Sequence, residues 1–321
     1  MSSPGHRTDK KPPVLKSVGL PYNPTAMTDA APWTVRRLLE WTTGFFTRKN
    51  VDSPRLSAER LLAHVLMYPR IRLYTDYDRP LNDKELTTYR SLVQRAAEQE
   101  PIEYLAGTAH FFNLEFEVNR DVLIPRPDTE TLVENVLQLA RNTAGMESPR
   151  VLDLCTGSGC IAAAIGHHLK NAVVFATDLS EKAVTLARRN IERLGLAGRV
   201  TVEHGDLYEP LINSVDAQPF QLIVANPPYI ATAQIDALDR SVKDYEPILA
   251  LDGGLDGLIL HRRILEGAGD RLVPGGRVYL EIAYDQGTLA RQIGEGYTEF
   301  DDVRVLKDHG GNDRVLTARR K

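Results

Sequence analysis

The groups best suited to chemistry in this 321-residue chain lie in the tetrapeptide Asn226-Pro227-Pro228-Tyr229. It follows the apolar run Leu222-Ile223-Val224-Ala225, and open α/β sheets carry their chemistry at the carboxyl ends of such strands. Two consecutive prolines stiffen the backbone and donate no N–H. The exposed carbonyls and the Asn226 side-chain oxygen are therefore free to accept hydrogen bonds. A planar amide or amino NH2 offers two donors, so accepting both fixes the nitrogen in plane and presents one face to an electrophile. Such a nitrogen is a poor nucleophile because its lone pair is delocalised, and the loop supplies no strong base. What the loop supplies is position, with effective molarities of about 10⁵–10⁸ M in favourable cases. As the nitrogen gains positive character, its bonds to Asn226 Oδ1 and the Pro227 carbonyl strengthen, which stabilises the transition state preferentially. Tyr229 is expected to stack on the planar group and exclude water. Asn226, Pro227 and Tyr229 are thus the catalytic candidates, and Asn226, Pro227, Pro228 and Tyr229 form the expected substrate-binding set.

A second constellation stands upstream, in Asp153-Leu154-Cys155-Thr156-Gly157-Ser158-Gly159, between an apolar strand and a helical stretch. Glycines there allow a sharp turn and close approach to a ligand, and the helix N-terminus adds favourable amide dipoles. Asp178 ends the next strand, where a carboxylate accepts both hydroxyls of a ribose. Asp206 and Leu207 follow the third strand, within reach of an adenine amino group and ring. Gly157-Ser158-Gly159-Cys160-Ile161-Ala162 also satisfies the dinucleotide fingerprint, so the loop alone predicts a nucleotide-type cofactor without choosing one. Asp153 tips the choice toward S-adenosylmethionine (SAM), because a carboxylate suits its cationic methionine end, directly or through water, and faces a pyrophosphate poorly. The expected cofactor-binding residues are Asp153, Cys155, Thr156, Gly157, Ser158, Gly159, Asp178, Asp206, Leu207 and Asn226. Cys155 is read as a small loop residue, and no metal is expected. Loop and tetrapeptide together predict methyl transfer to a planar NH2.

The positioning elements follow from hydrophobic period. Residues 1–31 carry Pro4, Gly5, Pro12, Pro13, Pro21 and Pro24 without apolar periodicity, which predicts a disordered tail; Met27 offers an alternative start. Residues 32–107 have helical spacing, with Val35, Leu38, Leu39, Thr42, Phe45 and Phe46 on one face and caps expected at Ser53 and Asn82. Phe112, Leu114, Phe116 and Val118 alternate with polar residues, a strand signature within a hairpin linker over 108–122. From 123 onward strands and helices alternate, which predicts an α/β domain with a mostly parallel Rossmann-like sheet and a late antiparallel hairpin around Arg314-Val315-Leu316-Thr317.

Net charge of −4 and pI near 6.1 argue against direct nucleic acid binding as the main task. Two cysteines, Cys155 and Cys160, form no disulfide framework and fit a reducing, cytoplasmic location. No apolar run approaches the length of a membrane span.

Asn-Pro-Pro-Tyr serves adenine-N6 DNA methyltransferases and glutamine-amide protein methyltransferases alike, and the physics of a held NH2 does not separate them. From about Trp33 to the C-terminus the chain resembles the peptide chain release factor glutamine methyltransferases (HemK/PrmC). The resemblance rests on Glu100 to Gly107, Phe112 to Val118, Ile124-Pro125-Arg126-Pro127-Asp128-Thr129-Glu130, Asp153 to Gly159 and Asn226 to Ile230. It continues through Glu246-Pro247, Leu251 to Gly257 and Gly311 to Val315. It implies SAM as methyl donor and, as substrate, the Gly-Gly-Gln glutamine of class 1 release factors, which the helical domain would help to dock. The segment Pro125 to Glu130 favours this branch over the related ribosomal-protein glutamine methyltransferase. Cys155 stands where many members have glycine.

Overall fold

The computed structural model describes residues 32–212 and 218–321, so the tail expected over 1–31 lies outside the described residues. Five helices come first: α1 (Val35–Arg48), α2 (Pro54–Leu66), α3 (Arg72–Thr75), α4 (Asp83–Ala97) and α5 (Ile102–Ala106). The α1 face expected from spacing is buried as a unit, and it packs with Leu61, Leu62, Tyr89 and Leu92 in a core of its own. At the head of α4 the Asn82 side chain accepts from Glu85 N while the Glu85 carboxylate takes the Asn82 N–H, a reciprocal cap. Ser53 does not cap α2 as expected. It lies in the left-handed region at φ 44, its side chain makes no capping bond, and Pro54 opens the helix with no N–H to satisfy.

A hairpin of β1 (Thr108–Phe111) and β2 (Leu114–Glu117) follows. The alternation from Phe112 to Val118 is not one strand. Phe112 and Asn113, at φ 50 and 61, form the two-residue turn between the strands. Both central positions of such a turn need positive φ, and the usual glycine is missing here, so the turn left no compositional mark.

The remainder runs α6 (Glu130–Asn142), β3 (Arg150–Leu154), α7 (Cys160–His168), β4 (Val173–Asp178), α8 (Glu181–Arg193), β5 (Val200–His204) and β6 (Phe220–Ala225). It ends with α9 (Arg240–Lys243), α10 (Ile259–Ala268), β7 (Leu272–Glu281), α11 (Gly287–Glu295), β8 (Phe300–Lys307) and β9 (Asp313–Arg320). One seven-stranded sheet has the order β5-β4-β3-β6-β7-β9-β8. Strands β3 to β7 are parallel, and β9 is antiparallel to both neighbours, which makes the expected closing hairpin. Side-chain parity sorts the two faces. Val151, Leu222 and Val224 join Leu132, Val136 and Ile161 on one side; Leu152, Leu154, Ile223, Val278 and Leu280 join Ile264 and Leu265 on the other. The chain builds outward from β3 to β5, then returns to lay β6 against the other side of β3. That reversal opens a crevice at the carboxyl ends of β3 and β6.

The hairpin joins the sheet domain through Phe111 and Phe116, which enter its core, and through one buried amide. Asn190 of α8 accepts from Glu117 N at 2.7 Å and donates to Glu117 O at 3.1 Å and Ser158 O at 2.9 Å. Its amide therefore ties hairpin, helix and glycine loop together. Asn190→Ala strands three backbone groups, and at about 1–3 kcal/mol for each buried orphan, partly relieved by water, a loss of about 2–4 kcal/mol is expected. Urea unfolding measures it, and a loss below about 1 kcal/mol would show that the joint is dispensable.

Candidate active site

The loop after β3 turns through three left-handed residues, Cys155 at φ 58, Gly157 at φ 56 and Gly159 at φ 79. A Cβ on Gly159 would also crowd α8, sitting 3.2 Å from Ala187 Cβ. Cys155 adopts the same region with a side chain, a strained placement for a residue other than glycine. The loop is held by Asp178, which ends β4: its Oδ2 accepts from Gly157 N at 2.8 Å and its Oδ1 from Ser180 N at 2.9 Å. Burial raises the Asp178 carboxyl above its ordinary range, and these two N–H groups oppose the rise. Each oxygen keeps a further lone pair for a ligand.

A cavity spreads over this loop. Of the residues expected from sequence, it gathers Cys155, Thr156, Gly157, Ser158, Asp178, Asp206, Leu207, Asn226 and Pro228 along its wall. Asp153, Gly159, Pro227 and Tyr229 are not on that wall.

Asp153 is a correction. It is fully buried, on the α6–α7 face of the sheet, where its Oδ2 accepts from Thr156 Oγ1 at 2.6 Å and from Ala162 N at 3.1 Å. The carboxylate braces the loop from beneath and caps the first turn of α7, whose dipole favours it. Burial nonetheless pushes its pKa up to about 7. Strand parity explains the placement, because the residue two before Cys155 points into the sheet face and not into the crevice.

Asp206 is on the wall but engaged, its Oδ2 paired with Arg263 of α10 at 2.8 Å. Leu207 is held by Thr177 Oγ1, which donates to the Leu207 carbonyl at 2.9 Å.

The reaction loop is fixed from three sides. Ile230 N donates to Leu251 O at 3.0 Å and Gly253 N to Ile230 O at 2.8 Å, so the segment 251–257 continues the backbone pairing beyond β6. Glycines are obligatory in that segment: a Cβ on Gly257 (φ 77) would lie 2.2 Å from Tyr229 O, and one on Gly253 2.7 Å from Pro228 O. Gln286 Nε2 donates to Tyr229 O at 2.8 Å. Asn226 Nδ2 donates to Thr129 Oγ1 at 3.2 Å, leaving Oδ1 facing away from Thr129. Among the described residues no donor reaches Asn226 Oδ1 or the Pro227 carbonyl. The Tyr229 hydroxyl donates to Glu281 Oε1 at 3.3 Å.

Sequence reasoning passed over several of these residues. Thr129 and Arg126 share the cavity wall with Asn226, and Arg126 is paired with the buried Glu246. Glu281 ends β7 with no exposure, and burial pushes its carboxyl up to about 7 although Thr129, Arg314 and Tyr229 pull it down. A glutamate closing the run Val278-Tyr279-Leu280 was the available signal.

The family models place this geometry. Residues 37–107 match the model described as PrmC N-terminal domain, and residues 128–262 match the Methyltransferase small domain. A release factor glutamine methyltransferase of Geobacter sulfurreducens is 44% identical over 287 residues, covering 89% of this chain and 97% of that protein. One from Rhodopirellula baltica is 39% identical over 287 residues, covering 89% and 96%. The hMettl16 catalytic domain, solved with a MAT2A 3′UTR hairpin, superposes with a TM-score of 0.51 at 15% identity over 74% of this chain and 80% of its own, a likeness of fold alone. With the acceptor tetrapeptide, the glycine loop and the N-terminal helices all in place, this chain belongs to the release factor glutamine methyltransferase family.

Proposed function

We propose that the protein transfers a methyl group from SAM to the side-chain amide nitrogen of the glutamine in the Gly-Gly-Gln motif of class 1 release factors, in the cytoplasm. The observation that carries this reading is the pair of unpartnered acceptors, Asn226 Oδ1 and the Pro227 carbonyl, held rigidly beside a cavity shaped for a nucleoside. The wall fits SAM. Asp178 has lone pairs to spare for a ribose, Leu207 offers an apolar surface to an adenine, and the Thr156 to Ser158 backbone turns toward the methionine end. Asp206 meets an adenine amino group through Oδ1, since Arg263 occupies Oδ2. When bound, SAM supplies a methyl group made electrophilic by its sulfonium.

The chain's own part is to hold the substrate amide. Asn226 Oδ1 and the Pro227 carbonyl accept its two N–H bonds and aim one face of the nitrogen along the line of attack. As the N–C bond forms, positive charge grows on the nitrogen and both bonds strengthen, which lowers the barrier without a base. The proton lost afterwards belongs to a strongly acidic species and passes to water. The Glu281 bond fixes the direction of the Tyr229 ring beside the substrate nitrogen. The helices of residues 32–107 dock the body of the release factor. No helix among the described residues is long and apolar enough to cross a membrane.

Three outcomes test this. Incubation with a release factor and labelled SAM, followed by mass spectrometry, is expected to place one methyl group on the Gly-Gly-Gln glutamine; label on duplex DNA or a ribosomal protein alone would overturn the reading. Asn226→Ala is expected to abolish transfer while SAM affinity, measured by calorimetry, falls only modestly. Asp178→Ala is expected to weaken SAM binding by at least tenfold, since charge-assisted hydrogen bonds of about 1.5–3 kcal/mol each are lost and the Gly157 turn loosens with them.

A further inference from the structure

A primary amide that must accept has an orientation problem. Turned by half a rotation about its last bond, Asn226 would present two N–H donors to a substrate that itself offers only donors. Its shape is the same either way, so packing does not choose. Only the hydrogen-bond partner on the far side of the amide can choose.

That partner is Thr129, at the head of α6, whose Oγ1 receives Asn226 Nδ2 at 3.2 Å. A hydroxyl alone does not decide, since it donates as readily as it accepts. Behind Thr129 lies Glu281, fully buried at the end of β7, and the Thr129 hydroxyl is near enough to hold its carboxyl below where burial alone would put it. This is the looser link of the chain, and Glu281 Oε2 meets no donor in full hydrogen-bond geometry. In its ionised form, which Thr129 and Arg314 favour, the carboxylate accepts only, so the Thr129 hydrogen is drawn toward Glu281 and its oxygen is left to accept. Asn226 must then turn Nδ2 toward Thr129 and Oδ1 toward the cavity. The same carboxylate receives Tyr229 Oη at 3.3 Å through Oε1. The reaction loop is thus held at its first residue by Thr129 and at its last by Glu281.

We propose that Glu281 is a positioning residue which acts through Thr129 to set the direction of the Asn226 amide, and acts directly on Tyr229, so that the loop presents an acceptor to the substrate nitrogen. The proposal rests on the reading of Asn226 as a substrate acceptor. It assigns Thr129 its place in the chemistry: a hydroxyl between an amide that must give its N–H and a carboxylate that can only accept. Valine fills the same volume and breaks the relay; serine keeps it.

The test uses the full-length enzyme with a release factor and SAM, reading kcat, KM for the release factor, SAM affinity by calorimetry and the melting temperature. Thr129→Val is expected to lower kcat by about 10–100-fold, in the range found when one group orienting a developing charge is removed, with SAM affinity within threefold. Thr129→Ser is expected to restore kcat to within about threefold of the parent. Glu281→Gln keeps the volume but offers a donor as well as an acceptor, and is expected to fall with Thr129→Val. In the double variant the loss is expected to be no greater than that of the worse single variant, because both act on one amide. Thr129→Val with kcat unchanged, Thr129→Ser as impaired as Thr129→Val, or a double variant whose losses add would each overturn the relay. Asn226→Ala in the same assay separates the two levels: if it keeps turnover, the acceptor reading itself fails, and if it alone loses turnover, only the positioning role fails.

Discussion

Strand β6 gives way to Asn226, the proposed acceptor, followed by two prolines that donate nothing to any ladder. In that proposed role the Pro227 carbonyl and the Asn226 oxygen are useful only while they stay unpaired, so the loop cannot be stabilised by satisfying them. It has to be held by its other atoms. Ile230 pairs with Leu251 and Gly253, Gln286 takes the Tyr229 carbonyl, Thr129 takes the Asn226 amide nitrogen and Glu281 takes the Tyr229 hydroxyl. Those contacts come from four separate stretches of chain. The long, glycine-rich course between β6 and α10 is therefore explained by the loop it supports: two of its glycines lie where any Cβ would strike the loop's backbone.

The alternation of strands and helices, the glycine turn and the acceptor tetrapeptide were all legible in the sequence, because each is written in local residue type and spacing. What was not legible depends on which way a side chain points or on what lies across the fold. Asp153 was read toward the cofactor by its nearness to the loop, yet strand parity sends it into the α6–α7 face, where it caps α7. The turn at Phe112 and Asn113 carries no glycine, so the alternation ran straight through it. Edge strand β8, with Asp301, Asp302, Arg304 and Lys307 among its residues, is too polar to announce itself as a strand. Glu281, Gln286 and Thr129 stand 50 residues or more from Asn226 or Tyr229 in sequence, and only the sheet brings them together.

The N-terminal helices and the sheet domain meet through charge as well as through the hairpin. Glu100, almost buried, receives both Arg95 of α4 and Arg120 beyond the hairpin. Glu246, buried after α9, receives Arg126 and the Ile124 N–H. Two carboxylates that would be costly alone are each covered by arginine and set in the joints of the molecule, where removing one partner would leave a bare charge. Tyr245 Oη donates to the Glu98 carbonyl at 3.2 Å across the same gap.

Asn190 carries a consequence for how the molecule breathes. Its single amide grips the hairpin on one side and the Ser158 carbonyl on the other. The glycine turn therefore has no private fluctuation: to open, it must let go of a buried group in α8 and the far strand of the hairpin together. A loop composed for freedom is thereby tied to the stability of the core, and the cavity keeps its floor whether or not anything rests upon it.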